Sequence, residues 1–182
     1  GIYAEDLLAV AKSQLGYTES AKNYIVEEPD VIKGYTRYGA WYGSPYSDWS
    51  AVFVSFCLHY AQVDVMPVEA MCSDWLIELQ NVNMYEPATD YTPKVGDLIF
   101  FDWDRDANAD HMGIVAEYFP AEGDEASRIQ VIEGDCNNTV CFNTYNQVDP
   151  DILGYGVLPA SQCTETEAPE EEILQPEESV NP

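Results

Sequence analysis

The sequence predicts an α+β fold, and three observations carry that prediction. Helical periodicity is confined to the first half of the chain. A stretch at 50–61 is apolar nearly all round, the pattern of a buried helix. After Pro93 the chain turns into short β-rich runs split by turn residues. Helices first and strands second is the order of an α+β domain. The expected architecture is N-terminal helices and a central helix packed on a five- to six-stranded antiparallel sheet.

The elements follow in order. Ala4 to Leu15 places Leu7, Leu8, Ala11 and Leu15 on one helical face, and Gly16 is a good terminator. Residues 17 to 48 carry Gly34, Gly39, Gly43 and Pro45 among many aromatics, and read as an ordered but irregular loop. Asp48 is placed to cap the central helix. A third helix, about Ser73 to Asn81, has Ser73 as its candidate cap. The expected strands are Gly96 to Asp102, Met112 to Tyr118, Ile129 to Glu133, Val140 to Tyr145 and Leu153 to Leu158.

The chain has 182 residues, enough for one domain with a sizeable core. That domain is expected over 1–160, followed by an acidic Pro/Glu-rich disordered tail or linker over 161–182. From Thr164 to Pro182 there are seven Glu, three Pro and no basic residue, too little apolar surface to fold. The balance of 7 basic against 33 acidic residues gives −26, which argues against nucleic acid as a partner. Without the tail's seven Glu the body still carries −26 + 7 = −19. No apolar run is long enough to span a membrane. Of five cysteines, four can pair in three ways, and Cys136 and Cys141 lie close enough in the chain to bridge a hairpin. Reduced, partly buried thiols are an equally good reading.

Two positions carry the chemistry. Ser50 opens the apolar stretch Ala51-Val52-Phe53-Val54-Ser55-Phe56-Cys57, and His111 opens the run Met112-Gly113-Ile114-Val115. In a cysteine hydrolase the nucleophile sits at the N-terminus of a buried helix, where the dipole and a nearby imidazolium stabilise a thiolate. A histidine on a facing strand serves as base, and a polar group orients its ring; Glu133 is the candidate. Trp41, Tyr42, Tyr46 and Trp49 are candidates to line a substrate groove, the alternative being ordinary packing. His59, half a turn round the helix from Ser50, reads as a structural or surface histidine.

Trp49-Ser50-Ala51-Val52-Phe53-Val54-Ser55-Phe56-Cys57 resembles the Trp-Cys-Ala-x-Phe-Val-Ser-x-Cys signature of CHAP domains, the cysteine- and histidine-dependent amidohydrolases and peptidases of the papain-like superfamily. Val95-Gly96-Asp97-Leu98-Ile99-Phe100-Phe101 resembles the strand before that family's histidine, and His111-Met112-Gly113-Ile114-Val115 its histidine motif. Val131-Ile132-Glu133-Gly134-Asp135 resembles its Ile-Glu-Gly-Asn segment. The resemblance runs from about residue 4 to 159. It implies Ser50 at the nucleophile position, His111 as general base and Glu133 as the group orienting it. Asp135 stands where many members have Asn, and is expected to accept a hydrogen bond from the imidazole.

The resemblance further implies a papain-like fold and hydrolysis of peptidoglycan, as an N-acetylmuramoyl-L-alanine amidase or a peptide endopeptidase. It implies a secreted or wall-associated bacterial or phage protein, and the acidic terminal linker suggests a fragment of a longer, modular one. Serine at position 50 is a departure: a hydroxyl does not ionise where a thiol would. Either a cysteine has been exchanged by design, which the intact surrounding motif favours, or the serine is natural. A natural serine would make the chain a non-catalytic wall- or protein-binding pseudoenzyme, or a serine amidase.

Asp102, Asp104, Asp106, Asn108 and Asp110 place oxygens at positions 1, 3, 5, 7 and 9 of a loop just before His111, a spacing that suits calcium. Ala107 at position 6 and Gly113 at position 12 are not EF-hand residues. The alternative is a solvated acidic turn. No cofactor is expected in the chemistry itself.

Overall fold

The computed structural model describes residues 2–161; Cys163 and the acidic tail from 162 onward lie outside the described residues. Four helices precede or flank a six-stranded antiparallel sheet, so the fold is α+β. The helices are α1 (Tyr3–Ser13), α2 (Arg37–Tyr42), α3 (Ser50–Tyr60) and α4 (Cys72–Asn81). A hairpin of β1 (Tyr24–Glu28) and β2 (Val31–Gly34) stands apart from the main sheet. The main sheet comprises β3 (Tyr85–Pro87), β4 (Leu98–Phe101), β5 (His111–Phe119), β6 (Arg128–Cys136), β7 (Thr139–Asn146) and β8 (Ile152–Gly156). Its order is β3-β8-β4-β5-β6-β7. Among the described residues no helix is long and apolar enough to cross a membrane.

The main sheet has apolar packing on both faces, which explains why β4 is a continuous run, Leu98-Ile99-Phe100-Phe101, buried at every position. Leu98 and Phe100 belong to the larger core with Met112, Ile114 and Ile132, where the helices pack. Ile99 and Phe101 alternate onto the opposite face with Val115, Ile129 and Val131. Helix α3 is buried from Ser50 through Ser55 and at Cys57 and Leu58, so it is the central helix that its composition requires.

Contact between α3 and β6 is direct. A Cβ on Gly134 would lie 2.5 Å from Phe53 Cβ, so this position admits no side chain without moving the helix. Gly134→Ala should therefore destabilise the protein by about 1–3 kcal/mol, the usual range for overpacking a core. A urea denaturation midpoint unchanged from the parent would show that α3 can shift at no cost.

Several local expectations are corrected. Residues 17 to 48 are not irregular throughout: they hold the β1–β2 hairpin and α2, whose Thr36 side chain accepts from Gly39 N–H and whose end is Gly43 in the left-handed region. Leu15 lies past the end of α1 and is exposed. Neither Asp48 nor Ser73 is a cap. The residue preceding α3 is Trp49, and the Asp48 carboxylate is paired with Lys33 from the hairpin instead. Helix α4 begins one residue earlier, at Cys72, after Met71. Strand β3 adds an edge that only three residues define.

Candidate active site

The site is built where α3 begins beside the start of β5 and the end of β6. Ser50 is the first residue of α3 and His111 the first of β5; both are buried, at 5% and 4% exposure. Glu133, 2% exposed, sits near the end of β6. His111 Nε2 lies 3.1 Å from Glu133 Oε2. A carboxylate can only accept, so Nε2 carries the proton, and Nδ1 is left as the ring's basic atom. Asn143 on β7 donates to the same Oε2 at 3.1 Å, while Glu133 Oε1 is buried without a hydrogen bond. Gly113 makes this approach feasible, since a Cβ there would meet Glu133 Cγ at 2.9 Å.

The ring of His111 is clamped on its other side. Trp103 stacks on it at 4.9 Å between centroids and 22° between planes, with Phe101 at 5.9 Å. Beyond Glu133 the strand bulges, and Asp135 takes a φ of 57°, a conformation that Asp tolerates better than most residues. Two left-handed residues, Asn137 and Asn138, then turn the chain into β7. The Cys136–Cys141 disulfide closes this turn.

Asp135 does not hydrogen-bond the imidazole as expected. The bulge aims its carboxylate at α3, where Oδ2 accepts the Trp49 N–H at 3.2 Å. Burial pushes the Asp135 carboxyl above its usual range; the Trp49 hydrogen bond and the His111 charge oppose this. Asp135 thus holds the residue before Ser50 and lies within the field of His111. Among the described residues no hydrogen bond joins Ser50 to His111. The Ser50 hydroxyl instead lies 3.3 Å from the Cys72 Sγ, at the first residue of α4. Burial pushes the Cys72 thiol up to about 11, against the Ser50 hydrogen bond.

A groove of about 590 Å³ runs over Ser50. Its lining includes Tyr46, Asp48, Cys72 and Asp110, with Lys33 and Glu27 from the hairpin at its edge. Of the four aromatics expected there, only Tyr46 is in the lining. Trp49 is fully buried, stacked on Tyr38 at 5.4 Å, because the residue ahead of a buried helix is carried into the core with it. Trp41 packs on Phe56 and His59 of α3, and half-exposed Tyr42 lies beside Trp41. Sequence reasoning missed Cys72, Trp103 and Asn143. A polar residue at alternate spacing in a strand was the one signal that Asn143 offered.

In the acidic loop, carboxylate oxygens of Asp102, Asp104 and Asp106 lie within 4.8 Å of one another. Asn108 and Asp110 do not join them in the expected way. The Asn108 amide donates to Asp106, and Asp110 accepts the N–H groups of Trp103 and Asp104. Three hard oxygen donors are a fitting partial set for calcium, which takes six to eight.

The fold is of the papain-like α+β class, with Ser50 at the head of a buried helix and His111 at the start of a strand, hydrogen-bonded to Glu133. The family model described as CHAP domain matches residues 41–135, more than half of the chain, and the protein belongs to that family. CHAP domains are cell-wall-acting amidases and peptidases with peptidoglycan as substrate. No curated protein and no solved structure matches the chain.

Proposed function

We propose that this domain carries the catalytic frame of a peptidoglycan amide hydrolase, in which position 50 attacks and His111 is the base. The buried His111–Glu133 hydrogen bond beside the head of α3 is the observation that carries this reading. In the working form a cysteine at position 50 attacks the amide carbonyl as His111 Nδ1 takes its proton. The imidazolium then protonates the leaving amine, and water releases the acyl group. Glu133 holds the ring, with Asn143 steadying Glu133. The N–H of residue 50, at the helix N-terminus, donates to the oxyanion. Asp135 positions the head of α3.

The Ser50 form is inactive on this reading, because its hydroxyl gives no thiolate for the imidazolium to stabilise. The bond cut is the N-acetylmuramoyl-L-alanine amide or a peptide bond of the stem or bridge. The protein acts outside the cytoplasm, secreted or wall-associated, in a bacterium or from a phage. A disulfide on the β6–β7 turn agrees with an oxidising setting. The deciding comparison is Ser50→Cys against the Ser50 protein on purified peptidoglycan, with released fragments identified by mass spectrometry. Turnover only by Ser50→Cys is expected, and the fragment masses name the bond. No release from several wall chemistries, with folding verified, would favour a binding module that uses the same groove.

Calcium, on the same reading, binds at Asp102, Asp104 and Asp106 and fixes the loop that delivers His111. It takes no part in the chemistry. Millimolar calcium should raise the melting temperature relative to a chelator, by an amount equivalent to about 2.7 kcal/mol if it reaches a hundredfold its Kd. Asp104→Asn should abolish most of the rise. An identical melt with calcium and chelator would leave the loop a solvated acidic turn.

A further inference from the structure

We propose that positions 50 and 72 form a redox latch: a thiol at position 50 is captured by Cys72 as a disulfide that closes the site, and serine at position 50 prevents this. The inference rests on the functional reading above, and concerns how the same site is regulated. Its basis is the juxtaposition of two helix starts. Residue 50 opens α3 and Cys72 opens α4, and their side-chain heads lie 3.3 Å apart, both lining one groove. A disulfide needs its sulfurs at about 2.05 Å, so the 3.3 Å now separating the heads must shorten by only about 1.2 Å. Among the described residues the other buried thiol, Cys57, is two turns further along α3 and is no competitor.

Burial keeps Cys72 protonated at rest, so it is not the thiol that starts the exchange. The position-50 thiolate, with His111 beside it, attacks a low-molecular-weight disulfide of the glutathione or cystine class. One sulfur of that molecule leaves as a thiol and the other remains on position 50. Cys72 then loses its proton and attacks the position-50 sulfur, expelling the second small thiol. The two protein thiols are oxidised by two electrons, and the small disulfide is reduced to two thiols. The product ties the nucleophile's sulfur to the opposite wall of the groove. An oxidising compartment, which the Cys136–Cys141 bridge indicates, makes the latch relevant where the enzyme works.

The test uses Ser50→Cys treated with oxidised glutathione and then with a reductant. After oxidation, peptide mapping should find residues 50 and 72 cross-linked. Peptidoglycan release should fall to the level of the Ser50 protein and return on reduction. Ser50→Cys/Cys72→Ala should stop at the mixed disulfide: mapping should find the small thiol still on position 50 and no internal cross-link. In Ser50→Cys with Cys72 intact, a mixed disulfide that persists at position 50, or a cross-link to Cys57, would overturn the latch. If reduced Ser50→Cys releases nothing, the hydrolase reading fails, while the mapped cross-link still decides the latch.

Discussion

His111→Ala, made in Ser50→Cys, should lower the rate of fragment release by about 10²–10⁴-fold, the usual contribution of a positioned general base. The drop should appear in kcat more than in KM, because His111 is not in the groove lining and acts on the nucleophile's proton. Glu133→Gln should give a smaller loss, since an amide oxygen can still accept from Nε2–H and Asn143 remains beside it. Its signature is a loss in kcat with KM little changed, since Glu133 orients the ring and does not line the groove. A loss under tenfold for His111→Ala, with the fold intact, would place the base elsewhere. A kcat unchanged in Glu133→Gln would reduce Glu133 to a packing role.

The fold was legible because its main signals are local. An all-round apolar stretch can only be a central helix, and five of the six strands of the main sheet announce themselves as apolar runs between turns. The hairpin at Tyr24–Glu28 and Val31–Gly34 was not legible: nearly all its residues are exposed, so no alternation of apolar and polar marks it. Cap assignments failed for a related reason. Asp48 is the right residue type in nearly the right place, but a lysine from a distant hairpin takes its carboxylate. At the site, Ser50, His111 and Glu133 could be read from element boundaries. Cys72 and Trp103 could not, since their places follow from how α4 and the acidic loop pack, which no spacing records. Asp135 was expected at the imidazole and reaches the Trp49 N–H instead, because a bulge re-aims it.

Trp49→Ala should be the most destabilising substitution near the site, costing about 3–5 kcal/mol, as expected for a fully buried tryptophan. The indole stacks on Tyr38, meets Tyr17 edge-on and donates from Nε1 to Glu19 at 2.9 Å. Removing it opens a cavity under the first turn of α3 and takes a partner from a half-buried carboxylate. Trp49→Phe keeps much of the ring contact and should cost less, leaving the lost Nε1 bond as the main difference. Tyr46→Ala is the contrast, because Tyr46 lines the groove and its hydroxyl reaches only Asn23. It should change stability by under about 1 kcal/mol, in the range of surface substitutions, yet raise KM in the Ser50→Cys protein. Urea denaturation and substrate titration separate the two. Should Trp49→Ala prove near-neutral in stability while raising KM, the indole would be reaching substrate after all. The head of α3 would then have to open in solution, since in the folded chain no part of this tryptophan is exposed.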